Sequence, residues 1–474
     1  MKSTKVITSI GWSSVERICT QGIRFVLSFI IARQLLPSDY GLIAMLSIFM
    51  SIAQSFIDSG FARALIQKKD RSQIDYSTVF IFNIGIAIIL YGIFLLFSSF
   101  IASFYNQPIL KELIIWIGLN LIIVSFSTVQ IAKLTVEMNF KIQSLAAIIG
   151  TSVSGAIAVS MAYNSFGVWT LVWQSLIYNI VYVVILWIKA NWTPSLQFSI
   201  SSFKTLFGFG SKLLAGGLLH TIYLNLYSLV IGKFYNAKEL GLFGNANTLA
   251  QFPAINVTEI IQKVIYPVQC ELQSDDEELA NQLIKTIQLV CIFLFPLMIG
   301  LAAISEPFVL IILTDKWIAS VPLIKILCMA YILDPVLRLN YTYLCAKGRT
   351  DYTLKSEFIK KGIAFLILLC SIPLGLNAMC WGLVLYSICD LIIITAFTKK
   401  INTNVSFFKE LKLMLPILAL ALVMGSVVYA ITFIPVNIWI RFLGALIMGI
   451  VVYLILIKIF YKSELKYVCQ LLKK

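Results

Sequence analysis

The chain has 474 residues, of which 59% are hydrophobic and only 12% charged, with 37 Lys plus Arg against 22 Asp plus Glu and a formal net charge of +15. Soluble domains carry roughly 25% charged residues, so this chain has too little charge to cover a water-facing surface of its size, and its mean hydropathy is +0.92. Composition therefore excludes a soluble multidomain enzyme and a disordered chain, and it leaves no basic domain with which the positive charge could bind nucleic acid.

A bilayer crossing takes about 20 mostly apolar residues. Hydropathy and turn signals predict about fourteen such helices, near 9–32, 40–62, 77–101, 113–132, 142–162, 167–188, 206–232, 241–262, 284–304, 321–345, 357–374, 379–397, 412–433 and 438–458. The first is read as a span and not as a cleavable leader, because Glu16 and Arg17 interrupt its apolar run. Loops such as PSDYG (37–41) and YNSFG (163–167) supply polar turn chemistry. An even number of spans puts both termini on one side. Counting loop cations then gives 26 Lys and Arg on the side of the termini against six on the other. That bias predicts cytoplasmic termini. Nine scattered cysteines without a CxxC pair read as small buried apolar residues.

The segment IARQLLPSDYGL (31–42) matches IGKFYNAKELGL (231–242) at a constant offset, pairing Arg33 with Lys233, Asp39 with Glu239 and Gly41 with Gly241. Each segment links the first and second helix of a six-helix block. The fold class expected is an all-α polytopic membrane protein with two six-helix lobes, 1–190 and 204–400, related by a pseudo-two-fold axis, plus two C-terminal helices in 405–474. The polar stretch ANWTPSLQFSISSF (190–203) would link the lobes. Rocking of one lobe against the other would open a central cleft to each side in turn.

Charges inside the spans point to that cleft. Ser13, Arg17, Thr20, Arg24 and Ser28 keep to one helical face of the first span, with Glu16 beside Arg17. The seventh span repeats the arrangement with Lys212, Gly216, His220, Tyr223 and Tyr227; the second adds Asp58, and the tenth Asp334, Arg338 and Tyr341. A charge facing lipid at mid-helix costs about 2.5–3.5 kcal/mol. Arg24, nearest its span centre, is therefore expected to face a hydrated cavity, while Arg17 and Lys212 either join it or snorkel from a span end. Arg and Lys suit an anion, and guanidinium forks match phosphate oxygens. Tyr223 and Tyr227 either stack on sugar rings or pack, and His220 either packs or contacts substrate or a proton. Glu16, Asp58 and Asp334 are the candidate coupling or partner acids. Gly216–Gly217, Pro253, Pro296 and Pro335 are candidate hinges, and the acidic run 275–278 reads as a solvated helix start. No nucleotide-binding, metal-binding or catalytic motif is found, so no cofactor, metal or catalytic residue is assigned, and directional transport would draw on a gradient or on substrate removal.

IARQLLPSDYGLIAM (31–45), FIDSGFARALIQKKD (56–70), FGVWTLVWQSL (166–176), LFGFGSKLLAGGLLHTIYLNLYSLVIGKFYNAKELGLF (206–243) and YPVQCELQSDDEEL (266–279) resemble polysaccharide flippases of the Wzx type, nearest the colanic-acid and teichuronic-acid exporter branch. The likeness runs over most of the chain and is strongest through the eighth span. It implies membership of the multidrug/oligosaccharidyl-lipid/polysaccharide exporter superfamily. It also implies a bacterial cytoplasmic-membrane protein that flips an undecaprenyl-pyrophosphate-linked oligosaccharide to the outer leaflet, with membrane lipids and other polysaccharide-assembly proteins as candidate partners. In such relatives cationic residues of the central cavity, first-helix arginines among them, serve the lipid pyrophosphate, and Arg17 and Arg24 fit that pattern. Two alternatives stand beside it. A cation-coupled multidrug exporter of the same superfamily would rely on acidic cavity residues. A membrane glycan polymerase or ligase would be expected to carry large outer loops rich in Arg or His, and here the outer loops are short.

Overall fold

The computed structural model describes residues 2–58, 60–190, 192–195 and 197–462, and among these it contains helices and no strand. The first part of the chain forms α1 (Lys2–Gln34), α2 (Pro37–Asp58), α3 (Phe61–Gln67), α4 (Gln73–Phe104), α5 (Leu110–Ser125), α6 (Thr128–Val136), α7 (Phe140–Tyr163) and α8 (Trp169–Lys189). Next come α9 (Ile200–Phe234), α10 (Ala237–Glu271), α11 (Asp276–Ile312), α12 (Val321–Tyr331) and α13 (Asp334–Ala346). The chain continues through α14 (Thr350–Ser371), α15 (Leu376–Lys399), α16 (Phe407–Ile431) and α17 (Ile438–Phe460).

Each expected span corresponds to one helix or one broken pair of helices. Ten stretches of the described residues are long and apolar enough to cross a membrane: α2–α3, α4, α5–α6, α7, α8, α11, α12–α13, α15, α16 and α17. The remaining long helices, α1, α9, α10 and α14, carry more polar and charged side chains. Two of them, α1 and α9, are the first helices of the two expected blocks. A helix that faces water along one side can tolerate such residues where a lipid-facing one cannot.

Three expected spans are broken: the second, between α2 and α3 at Gly60, and the fourth of each block. Between α5 and α6, the hydroxyls of Ser125 and Ser127 donate to the carbonyls of Ile122 and Val124, both at 2.7 Å, and Phe126 and Ser127 make tightened three-residue backbone bonds. Between α12 and α13, Pro335 removes a backbone donor in the first turn after Asp334. Pro253 and Pro296, by contrast, lie inside the continuous helices α10 and α11. Asp275 caps α11 by accepting from the backbone N–H of Glu277 and Glu278, both at 3.0 Å, so the acidic run is a helix start.

The chain divides into two compact units, Met1–Gly241 and Leu242–Lys474. In the first, α7 packs on α8 and α1, α4 packs on α5, and α9 lies along α2, α3 and α4. The polar stretch after α8 is strapped onto the start of α4. Trp192 donates from Nε1 to Gln73 Oε1 at 2.7 Å, Gln73 Nε2 donates to Thr193 O at 2.7 Å, and the Ser195 and Ser199 backbone N–H groups donate to Ser77 and Thr78. In the second unit, α11 carries α16 and α17, and α15 packs on α12, α13 and α14. Asn340 on α13 donates to the buried Glu410 of α16 at 3.0 Å, and the Tyr453 hydroxyl of α17 donates to Ile292 O at 2.6 Å. These two bonds tie the C-terminal pair to the second unit.

Asp75 anchors the α3–α4 corner. It is 1% exposed, accepts from the Ser72 N–H at 2.8 Å and pairs with Lys68 Nζ at 2.7 Å. Asp75→Ala removes both the capping box and the ion pair. The cap alone accounts for about 1 kcal/mol and a buried pair broken on one side for about 3. A loss of about 2–4 kcal/mol is therefore expected in detergent unfolding of the purified protein; Asp75→Asn, which keeps part of the cap, should lose less.

Candidate functional site

In the first unit the polar face of α1 runs beside α7 and α8. Gly155 of α7 gives room for the Leu27 side chain, which lets the two helices pack closely above the buried Ile31, Leu35, Ala158 and Ala162. The hydroxyl of Ser144 on α7 lies 3.2 Å from both the Glu16 carboxylate and the Trp12 carbonyl. Two turns beyond Glu16, the exposed Arg24 guanidinium stands 5.1 Å over the ring of Tyr178 on α8. Tyr178 in turn stacks on Tyr182 with ring centroids 5.9 Å apart and planes 17° from parallel. A guanidinium laid on an aromatic face keeps its N–H edge free to meet an anion, while the ring holds it in place. The structure thus brings Glu16 and Arg24 into one row with Tyr178 and Tyr182. The two tyrosines were not singled out from the sequence, although their four-residue spacing on one face of an apolar helix carries the signal.

A second polar seam of the first unit lies along α2 and α9, which run antiparallel. Ser55 and Thr221 exchange a hydroxyl bond at 3.2 Å midway, and Tyr223 and Tyr227 are half-buried on α9. At one end, a Cβ placed on Gly41 would fall inside the carbonyl of Ala237, and one on Gly241 inside the carbonyl of Pro37. The two contacts are reciprocal at an offset of 200 residues, as the matched segments 31–42 and 231–242 require. At the other end Gly60, with φ +72°, approaches the Gly210 Cα so closely that a Cβ would lie 2.8 Å from it. Lys233 donates from Nζ to Phe104 O at 2.7 Å and fixes α9 to α4.

The side chains of Arg17, Asp58, Lys212 and His220 lie outside the described residues; their backbones belong to α1, α2 and α9. Arg338 and Asp334 fall in the second unit, on α13. Arg338 stands 5.4 Å over Tyr341. Near them is a pair that the sequence reading did not anticipate. By sequence Lys360 belongs with the loop cations, yet it is only 5% exposed and its ammonium lies 2.8 Å from Asp390 of α15 and 3.3 Å from Glu357.

A family profile described as polysaccharide biosynthesis protein matches residues 30–322. The teichuronic acid biosynthesis protein TuaB of Bacillus subtilis (strain 168) is 24% identical over 86% of this chain and 86% of its own. The lipopolysaccharide biosynthesis protein WzxC of Escherichia coli (strain K12) is 25% identical over 75% of this chain and 73% of its own. Among solved structures, the lipid II flippase MurJ in an inward closed conformation superposes with a TM-score of 0.76 at 16% identity, over 95% of this chain and 99% of that one. The chain therefore has the MurJ fold and is a multi-pass membrane protein.

Proposed function

The chain belongs to the family of polysaccharide biosynthesis proteins, and from that premise we propose that it flips an undecaprenyl-pyrophosphate-linked oligosaccharide across the bacterial cytoplasmic membrane for surface polysaccharide export. The names of its relatives, a teichuronic acid and a lipopolysaccharide biosynthesis protein, and its likeness to a flippase of another lipid-linked glycan support the substrate class. The observation that carries the reading is Arg24, a guanidinium deep in the first span and backed by the Tyr178–Tyr182 stack.

In this proposal the row on α1 and α8 faces a water-filled cavity. Arg24, with Arg17 and Lys212, meets the pyrophosphate, and Tyr223, Tyr227 and His220 meet the sugars. Arg338 contributes positive field, and the prenyl tail stays in lipid. Both termini are cytoplasmic, the positive-inside bias setting the orientation. The two blocks 1–190 and 204–400 form pseudo-symmetric lobes with 405–474 appended. The reciprocal glycine contact and the two breaks at the same place in each block support that repeat. Alternating access parts the Gly41–Gly241 contact to release substrate outward. No covalent step is involved.

Arg24→Ala tests the site. A charge-assisted contact is worth about 1.5–3 kcal/mol, or roughly a 10- to 100-fold effect. Export of surface glycan in cells lacking the native protein should fall by that factor at equal protein abundance. Arg24→Lys, which keeps the charge and loses the fork, should fall in between. Wild-type glycan from Arg24→Ala would remove Arg24 from the site.

A further inference from the structure

The last turns of α10 and the first turns of α11 enclose a groove of about 660 Å³ that the substrate path described above does not use. Ile265, Val268 and Leu272 form its apolar wall together with Leu289 of α11, and Val268 is 39% exposed. Both helices run on past the expected spans 241–262 and 284–304, so much of this apolar surface stands beyond the reach of lipid tails. Glu277 and Glu278 line the same groove, and neither carboxylate has an ion-pair partner among the described residues. Their neighbours in the acidic run are engaged: Asp275 caps α11, and Asp276 holds Lys347 at 2.6 Å. Two amides are left unsatisfied among the described residues. Gln282 lines the groove with its Oε1 buried and unbonded, and Gln269, on the α10 face that carries Ile265 and Leu272, is fully buried with neither amide atom bonded.

An apolar groove at the water side of a membrane marks an interaction surface, and buried polar groups in native structures find partners. The course of α17 brings one segment of the chain to this groove. Phe442, near the start of α17, lies against Phe308 of α11 with ring centroids 6.3 Å apart, and Tyr453, further along, bonds to Ile292 O at 2.6 Å. α17 therefore runs antiparallel to α11, toward the groove. Two turns past Tyr453 it ends at Phe460, level with Lys285, which lines the groove two turns before Ile292 on the same face of α11. Residues 463–474, SELKYVCQLLKK, lie outside the described residues. A helix of that length covers about 18 Å, the same as α11 from Glu277 to Leu289. In sequence, Leu465, Val468, Cys469 and Leu472 recur at helical spacing, Lys466 and Lys473 share one edge of that face, and Glu464 is the only acid.

We propose that residues 463–474 seat in the α10–α11 groove as a basic amphipathic helix, with Leu465, Val468 and Leu472 against the apolar wall and Lys466 and Lys473 at Glu277 and Glu278. So placed, the segment covers the apolar surface and clasps the α10–α11 hairpin to α17. The rival resting place is the membrane surface, which also takes basic amphipathic helices. The groove is favoured because it offers, within reach of α17, both an apolar wall and carboxylates with no cation of their own. The seat does not depend on what the protein carries, so it stands or falls apart from the flippase reading.

The test uses the purified full-length protein in phosphatidylcholine nanodiscs, with no substrate. Asn281→Cys places a thiol in the groove opposite native Cys469, and mass spectrometry of the joined peptides reads the disulfide formed under mild oxidation. Asn281→Cys/Cys469→Ser sets the background. A cross-link within one chain, well above that background, is expected. Adding Glu277→Lys/Glu278→Lys should lower its yield about five-fold, the order expected when two exposed ion pairs are reversed in sign. Adding Lys466→Glu/Lys473→Glu to those variants should restore it, which a merely weakened α11 would not allow. The yield should persist when phosphatidylglycerol is added to the nanodiscs. The proposal is overturned if no cross-link rises above background, if it joins two chains, or if charge reversal leaves it unmoved. Loss of the cross-link on adding phosphatidylglycerol would place the segment on the membrane and overturn it as well.

Discussion

Gly41→Leu should reduce surface glycan export to below about 1% of wild type, and Gly241→Leu should do the same. At both positions the obstacle is a backbone carbonyl, of Ala237 in one case and Pro37 in the other. A side chain that meets another side chain can be accommodated by a rotamer change; one that meets backbone forces whole helices apart. Overpacking ordinarily costs about 1–3 kcal/mol, and more where nothing can yield. Because the two contacts mirror each other, the two substitutions should have equal effects and should not add when combined, since either already separates the helices. Gly244→Leu is the control, because a Cβ there meets nothing. Thiol labelling of a cysteine introduced at Pro37 should rise several-fold in the Gly41→Leu background if the contact is a seal. Wild-type export from Gly41→Leu would show that transport does not pass through a state with this contact closed.

Lys360→Met should destabilise the purified protein by about 3–5 kcal/mol, the usual cost of stranding one member of a buried ion pair. Lys360 and Asp390 are both buried, and removing the ammonium leaves the Asp390 and Glu357 carboxylates without the cation between them. The double variant Lys360→Met/Asp390→Leu should recover most of that loss, because apolar pairs commonly replace buried ion pairs with little change in stability. The coupling energy from the double-mutant cycle, read from unfolding in mixed detergent, is expected to exceed about 1 kcal/mol. Additive losses would mean that the two residues do not act on each other.

The positions of the long helices were legible because apolar runs of bilayer length are local properties. α1 and α9, with more polar side chains than their neighbours, were legible from the same hydropathy and turn signals. The turn repeat at 31–42 and 231–242 was legible too, and its glycines proved to be the point where α2 and the start of α10 touch. What the sequence concealed depends on partners far along the chain. Lys360 reads as part of a basic cluster with Lys355 and Lys361, and only Asp390, thirty residues on, makes it an interior group. Tyr178 and Tyr182 read as ordinary packing until Arg24 is seen over the first of them. The breaks at α5–α6 and α12–α13 arise from serine hydroxyls and one proline inside otherwise continuous apolar runs, too small a change to register in a hydropathy window.

The most direct test is reconstitution of the purified protein into vesicles loaded on one leaflet with a fluorescent undecaprenyl-pyrophosphate oligosaccharide, with a membrane-impermeant reagent reporting the label on the other leaflet. The wild type should move the label across at a rate well above that of protein-free vesicles, and Arg24→Ala should be slower by about 10- to 100-fold. Movement no faster than in empty vesicles, from protein that remains folded and monodisperse, would contradict the account.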